Sequence, residues 1–244
     1  MFDAKEVKNQ IVEWIAGYFR ENAPPGAMAV VGISGGKDSS AVAALCAEAL
    51  GKDRVFGVLM PQGDQFDIDV SYDLCETLGI RYAVVNIGEP VDSIYKGISS
   101  AGLALNDVAA FNTPARIRMS VLYAVSGIVG GRVANTSNLS EDWVGYSTKF
   151  GDSAGDFSPL SDLTVAEVLA VGKEAGLAAR FIEKTPIDGL CGKTDEDNLG
   201  FTYAVLDRYI RDGVCGDEDV KRKIDRMHVA SLHKVSPMPM FKRI

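Results

Sequence analysis

The chain has 244 residues, 47% of them hydrophobic and 24% charged, with a formal net charge of −8, enough for one large α/β domain or two small ones. No apolar run approaches the roughly 18 residues of a membrane span, and the N-terminus lacks a basic stretch before an apolar core, so we expect no spanning segment, membrane partner or secretion signal. The acidic balance opposes loose binding to nucleic acid, which needs Lys and Arg against phosphate; the scattered Cys46, Cys75, Cys191 and Cys215 form no C-x-x-C pair and read as reduced thiols of a cytoplasmic protein.

Asp3, with Glu6 three residues on, predicts a capped helix start, and Val7, Ile11, Trp14, Ile15 and Tyr18 share one helical face. Pro24-Pro25-Gly26 ends that helix and leads into a strand at Met28 to Val31. A glycine turn, Ser34-Gly35-Gly36-Lys37-Asp38-Ser39, follows, then a helix over 38–50. A second strand is expected over Val55 to Met60, a helix over Asp67 to Leu78 with Gly79 as its C-cap, and a third strand over Tyr82 to Asn86. The next helix runs from about Glu89 to Ser99, with a loop near Gly102 to Asn112.

Thr113-Pro114 predicts a helix start, with a hydroxyl at the cap and Pro at the first position, and that helix reaches Val129 before Gly130-Gly131. Arg132 to Asn135 reads as a short fourth strand and Ser137 to Gly145 as a short helix. Residues 147–159 read as a loop that orders on ligand. Thr164-x-x-Glu167 caps another helix, and two more follow around Phe201 to Arg211 and Asp217 to Lys234. The prolines of the 235–244 tail exclude helix there.

Strands alternating with helices predict an α/β fold, a parallel sheet with helices on both faces. Ligands then gather at the carboxyl ends of the strands, where 34–39, 60–65 and 135–141 would share one rim. Without repeat, low-complexity tract or linker, residues 1–244 read as one domain with a helical C-terminal extension from about 161.

The glycine turn between strand and helix is a phosphate site in outline: bare backbone N–H groups and the positive helix end favour an anion. It is not a Walker A loop, Gly-x-x-x-x-Gly-Lys-Ser/Thr, because Val31 stands at the first glycine and Asp38 at the hydroxyl position. Nor do residues 32–37 supply Gly-x-Gly-x-x-Gly. The turn instead resembles the Ser-Gly-Gly-x-Asp-Ser pyrophosphate loop of the ATP pyrophosphatase superfamily, with Ser34, Gly35, Gly36, Asp38 and Ser39 in place. That resemblance implies a Rossmann-like adenine nucleotide alpha hydrolase fold, and cleavage of ATP between its α and β phosphates with adenylation of an oxygen. Residues 32–39, including Gly32, Ile33 and Lys37, would hold ATP, with Asp38 and Lys37 at the reaction and Asp38 on Mg2+.

Further motifs resemble the ammonia-dependent NAD synthetase family over nearly the whole chain. Asn112-Thr-Pro-Ala-Arg-Ile-Arg-Met119 is similar to a family helix start whose first arginine, here Arg116, contacts deamido-NAD. Asn135-Thr-Ser-Asn-Leu-Ser-Glu141 implies Thr136 on ATP and Glu141 on Mg2+; a carboxylate at a helix start also suits the dipole. Gly145-Tyr-Ser-Thr-Lys-Phe-Gly-Asp152 and the later Asp156 imply Lys149 and Asp156 as deamido-NAD contacts, and His233-Lys234 matches a substrate-reaching pair. The 193–203 stretch resembles the family's acidic segment. Val165 and Ile187 depart from the pattern, standing where many members carry polar ATP contacts; Lys184, Thr185 or Asp188 could compensate.

The resemblance implies ATP-dependent amidation of deamido-NAD by ammonia to give NAD, AMP and pyrophosphate. It also implies a homodimer, with the 114–129 helix a candidate interface. No glutaminase domain is expected within the chain, because such a domain needs roughly another 200 residues. The rival readings are another ATP pyrophosphatase, such as a GMP synthetase-type subunit or a tRNA thiolating enzyme, and a non-catalytic nucleotide-binding module. The last has no need of Asp38, Glu141 and Arg116 together.

Overall fold

A computed structural model of the chain describes residues 2–65, 67–183 and 194–243. In chain order its elements are α1 (Ala4–Asn22), β1 (Met28–Gly32), α2 (Lys37–Leu50), β2 (Val55–Leu59), α3 (Ile68–Leu78), β3 (Arg81–Val84), α4 (Gly88–Ser100), α5 (Asp107–Val129), β4 (Gly131–Val133), α6 (Leu139–Val144), α7 (Val165–Glu174), α8 (Ala179–Ile182), α9 (Asp195–Leu199), α10 (Tyr203–Asp212) and α11 (Glu218–Val235). The strands form one parallel sheet in the order β3-β2-β1-β4. Val30 of β1 stands opposite Phe56 on one side and Val133 on the other.

β1 is central because Ala29, Val30 and Val31 are wholly buried, the unbroken apolar run of a strand covered on both faces. One face packs against α1, α2 and α7 through Ile15, Phe19, Leu45, Val168 and Val171. On the other, Met119 and Leu122 of α5 cover Val30, Val58 and Val133. A third apolar cluster, with Val144, Val165, Leu199, Leu206 and Ile224, joins α6, α7, α9, α10 and α11 beyond the carboxyl end of the sheet. The chain continues from β1 to β2 on one side and reaches β4 on the other, so the gap between the ends of β1 and β4 is the topological switch where such sheets bind ligands.

Two expectations need correction. The α1 face includes Phe19, which is buried, whereas Trp14 is 48% exposed and lies against the rings of Tyr18 and Phe157 at the margin of the core. The loop expected over 102–112 is also largely helical: α5 starts six residues before Thr113, where the Asn106 side chain caps it by accepting the Ala109 N–H at 2.9 Å. Pro114 therefore sits inside a helix, where it removes the bond that would end on the carbonyl four residues earlier. That carbonyl, on Ala110, instead accepts the Tyr95 hydroxyl of α4 at 2.9 Å. α8 and α9 were not anticipated at all; each is too short to carry a periodic signal. Among the described residues no helix is long and apolar enough to cross a membrane.

Tyr95→Phe removes the hydroxyl that meets the Ala110 carbonyl in place of the amide lost at Pro114. The variant should lose about 1–2 kcal/mol of stability, read as a lower urea midpoint, with amide protection falling around residues 110–114. An unchanged midpoint would show that water serves that carbonyl equally well.

Candidate active site

β1 ends in the Ser34–Ser39 turn, and α2 starts without a side-chain cap on Gly36. Its first turn thus keeps the positive pole of the helix facing the turn. Gly35 has φ 75°, and a Cβ there would lie 3.0 Å from the Ser71 hydroxyl. The turn is tied together internally. Ser34 and Ser39 hydroxyls are 3.1 Å apart, the Gly36 N–H donates to Ser34 Oγ at 3.3 Å, and the Ser40 hydroxyl donates to the Gly36 carbonyl at 2.8 Å. Ile33 turns its side chain into the core, so only its backbone and that of Gly32 face the site's edge.

The charged centre lies where α2 meets α6. Lys37 Nζ is 2.7 Å from Asp38 Oδ2 and 3.5 Å from Glu141 Oε1, with its side chain 6% exposed, and it sits 5.8 Å over the Tyr203 ring. Burial works against the Lys37 charge, yet Asp38 and Glu141 outweigh it and raise its pKa. Glu141 is also raised, first by burial and then by Asp38. The Lys37 shift reflects the two acids beside it, and the Glu141 shift reflects burial first and the neighbouring Asp38 second. Asn138 spans the two acids: its side-chain amide donates to Asp38 Oδ1 at 3.0 Å, while its carbonyl oxygen caps α6 by accepting the Glu141 N–H at 3.1 Å. Asp38 and Glu141 could hold a hard cation; among the described residues no group of three His, Cys, Asp or Glu side chains forms a metal cage.

A second group of expected residues lies past the end of α6. Arg116 Nε donates to the Lys149 carbonyl at 3.2 Å, Lys149 Nζ donates to the His233 carbonyl, and Lys234 Nζ donates to the Gly145 and Ser147 carbonyls, both at 2.7 Å. α5, the 145–149 turn and the end of α11 thus carry three cations to one place. Close packing permits this, because a Cβ on Gly145 (φ 68°) would lie 2.2 Å from Ser231 Cβ. Asp156 stands apart at the edge of β4, where its carboxylate accepts the Val133 N–H at 2.7 Å and the Tyr123 hydroxyl at 3.4 Å. Thr136 follows β4 and is partly buried.

A cleft of about 590 Å³ opens between α6, α11 and the 153–161 segment, lined by Asp156 and Lys234 and by Asn135, Trp143, Ser158 and His228. Its volume falls in the range usual for small-molecule sites. The rings of Trp143 and His228 stack there at 4.1 Å. Neither was anticipated, and a lone Trp and His 85 residues apart give no sequence signal. Asn138 was not singled out in the sequence, although an Asn three residues before Glu141 at a helix start is the signal of a cap. Asp195 and Tyr203, whose hydroxyl is 3.4 Å from Asp195 Oδ2, also border the charged centre. Val165 is buried in the apolar cluster, so it offers no polar contact. Lys184, Thr185, Ile187, Asp188 and Lys193 lie outside the described residues.

The family model described as NAD synthase matches residues 7–244. The chain is 41% identical over 202 residues to the NH3-dependent NAD+ synthetase of Pyrococcus furiosus, covering 82% of this chain and 77% of that one. Its likeness to the enzyme of the same name from Archaeoglobus fulgidus is 35% over 247 residues, covering 98% and 97%. Among solved structures, an NMN synthetase from Francisella tularensis superposes with a TM-score of 0.89 at 29% identity over 100% of both chains. An NH3-dependent NAD synthetase from Campylobacter jejuni gives 0.80 at 27%, covering 99% and 100%.

Asp142, on the cleft side of α6, has a buried Oδ1 with no hydrogen-bond partner among the described residues, and its pKa is pushed up from 3.8 to about 6, first by burial and then by Asp152. The folded form therefore holds this proton more tightly than the unfolded chain. Ionisation costs stability as pH rises from about 4 to 6, in full above that window and not at all below it. Asp142→Asn should stabilise the protein by about 1 kcal/mol at pH 8, a value discounted for partial exposure, and by nothing at pH 3.5. Urea midpoints at the two pH values test this; equal effects at both would remove the charge from the explanation.

Proposed function

The chain belongs to the NAD synthase family, and on that premise we propose how its residues divide the work of joining ammonia to the nicotinate carboxylate of deamido-NAD with ATP, giving NAD, AMP and pyrophosphate. The observation that carries the assignment is the buried Lys37–Asp38–Glu141 cluster at the mouth of the Ser34–Ser39 turn. A carboxylate oxygen attacks the α-phosphorus, the bond to the β-phosphate oxygen breaks, and pyrophosphate leaves. Ammonia nitrogen then attacks the activated carbonyl carbon, the bond to AMP breaks, and a proton is lost.

Backbone N–H groups of residues 34–39, the Ser34 and Ser39 hydroxyls and the start of α2 hold the departing pyrophosphate. Preorganised donors of this kind are usually the largest catalytic contribution. Lys37 and Asp38 stand at the transferring phosphorus, and Thr136 adds an ATP contact from the end of β4. Two neighbouring carboxylates suit Mg2+, which keeps phosphate and water among its ligands; Asp38 and Glu141 would hold it, and it would offset phosphate charge. Arg116, Lys149 and Lys234 present a cationic wall to the second nucleotide, with His233 beside them and with Asp156 and the Trp143–His228 stack along the cleft. Bringing two anionic reactants together in fixed geometry removes much of the barrier.

One observation favours a second substrate. The 0.89 TM-score belongs to a protein described as an NMN synthetase, against 0.80 for the Campylobacter NAD synthetase. The same chemistry on a nicotinate mononucleotide would give NMN. Incubation with ATP, Mg2+, ammonium and either carboxylate should release AMP and pyrophosphate together with the matching amide. ADP, or no turnover with either substrate, would sink the assignment. In the same assay Asp38→Asn should cut turnover by about 100-fold or more while shifting the unfolding midpoint little.

We assign the protein to the cytoplasm, where unpaired Cys46, Cys75 and Cys215 thiols are at home. We also infer a homodimer through α5, whose Val108 (67%), Phe111 (47%) and Ile128 (83%) leave large apolar surface in water. Sedimentation should give twice the chain mass for the wild type and a lighter species for Phe111→Asp. A monomeric wild type would refute the pairing.

A further inference from the structure

We propose that Lys37 is the resident counter-ion of the two-carboxylate site: without nucleotide, its ammonium occupies the position a divalent cation needs, and that cation enters only when Lys37 moves onto phosphate. The inference rests on the reading that Asp38 and Glu141 are the cation's ligands.

The two oxygens of Asp38 are engaged by different partners. Asn138 donates to Oδ1 at 3.0 Å, so Oδ2 is the oxygen turned toward the charged centre, and Lys37 Nζ is already 2.7 Å from it. The same ammonium is 3.5 Å from Glu141 Oε1. A small divalent ion bound to Oδ2 at about 2.1 Å would lie within about 5 Å of the ammonium that is 2.7 Å from the same oxygen. Two positive charges at that separation in a poorly solvated pocket repel strongly. Either the lysine or the divalent ion holds Oδ2.

Lys37 is also placed to leave. It is the first residue of α2, directly after the glycine turn, and its four-carbon stem can swing from the acids toward an anion in that turn. Phosphates arriving at residues 34–39 would attract the ammonium with charge comparable to that of the acids. The site vacated is then filled by the cation that accompanies the nucleotide. Binding of nucleotide and cation is thereby coupled through one side chain. Asp195 and the Tyr203 ring, which also face Lys37, border the pocket on its α9–α10 side.

Mn2+ binding followed by electron paramagnetic resonance on the full chain without nucleotide tests this directly. Lys37→Gln should bind Mn2+ at least about tenfold more tightly than the wild type, because the competing charge is gone. Adding Asp38→Asn to that variant should erase the gain. Equal affinity in the wild type and Lys37→Gln would overturn the inference. A gain that survives Asp38→Asn would overturn instead the ligand assignment beneath it. Thermal melts give an independent reading: Mn2+ should raise the Tm of Lys37→Gln well above its effect on the wild type. The same shift in both would again count against Lys37.

Discussion

Two carboxylates and one ammonium, brought together from neighbouring strand ends and kept mostly out of water, are the constraint on which the ligand end of this molecule depends. Burying such a group is unfavourable unless each charge is met by another charge or a hydrogen bond. Here the requirement is met by side chains distant in sequence. Lys37 and Asp38 come from the start of α2, Glu141 from the first turn of α6, and Asn138 links the last two acids with one amide group. Remove the apposition of β1 and β4, and Glu141 and Asn138 no longer meet Lys37 and Asp38.

The helices beyond the sheet serve to hold α6 in that position. Ser140, next to Glu141, donates to buried Asp207 of α10 at 2.6 Å and accepts the Val165 N–H at 3.1 Å, while Asp207 also accepts the Ala166 N–H at 2.9 Å. The first turn of α7 is thus tied to α6 and α10 through two side chains. Apolar contacts of Val144, Val165, Leu206 and Ile224 complete the support. Val165 belongs to this support, which explains how the chain can lack a polar group there and remain well packed. On the opposite side, α11 docks so closely on Gly145 that no other residue fits, and this brings Lys234 to the 145–147 carbonyls.

The cations fall into two settings. The Lys37 charge is buried and matched by acids, whereas Arg116, Lys149 and Lys234 sit on main-chain carbonyls nearer the surface. A protein with net charge −8 can in this way attract anions locally.

Much of this was legible before any coordinates. Apolar runs located β1 and β2, because a strand covered on both faces must be continuously apolar, while the short β3 and β4, which carry Arg81 and Arg132, were placed mainly by the turn residues around them. The Ser34–Ser39 turn was recognisable because its constraints are local: only glycine tolerates the backbone at position 35, and one helix supplies the dipole. The family motifs then named Arg116, Glu141, Lys149 and Lys234. What the sequence could not show was partnership. That Asp156 spends its carboxylate on the Val133 N–H, that Tyr95 replaces the bond Pro114 removes, and that Trp143 meets His228 all depend on packing between elements far apart in the chain. Local chemistry determined the phosphate loop, and family resemblance its reaction type; the tertiary structure decided which distant charges meet, because electrostatic and hydrogen-bond energies depend on separation in space and not along the chain.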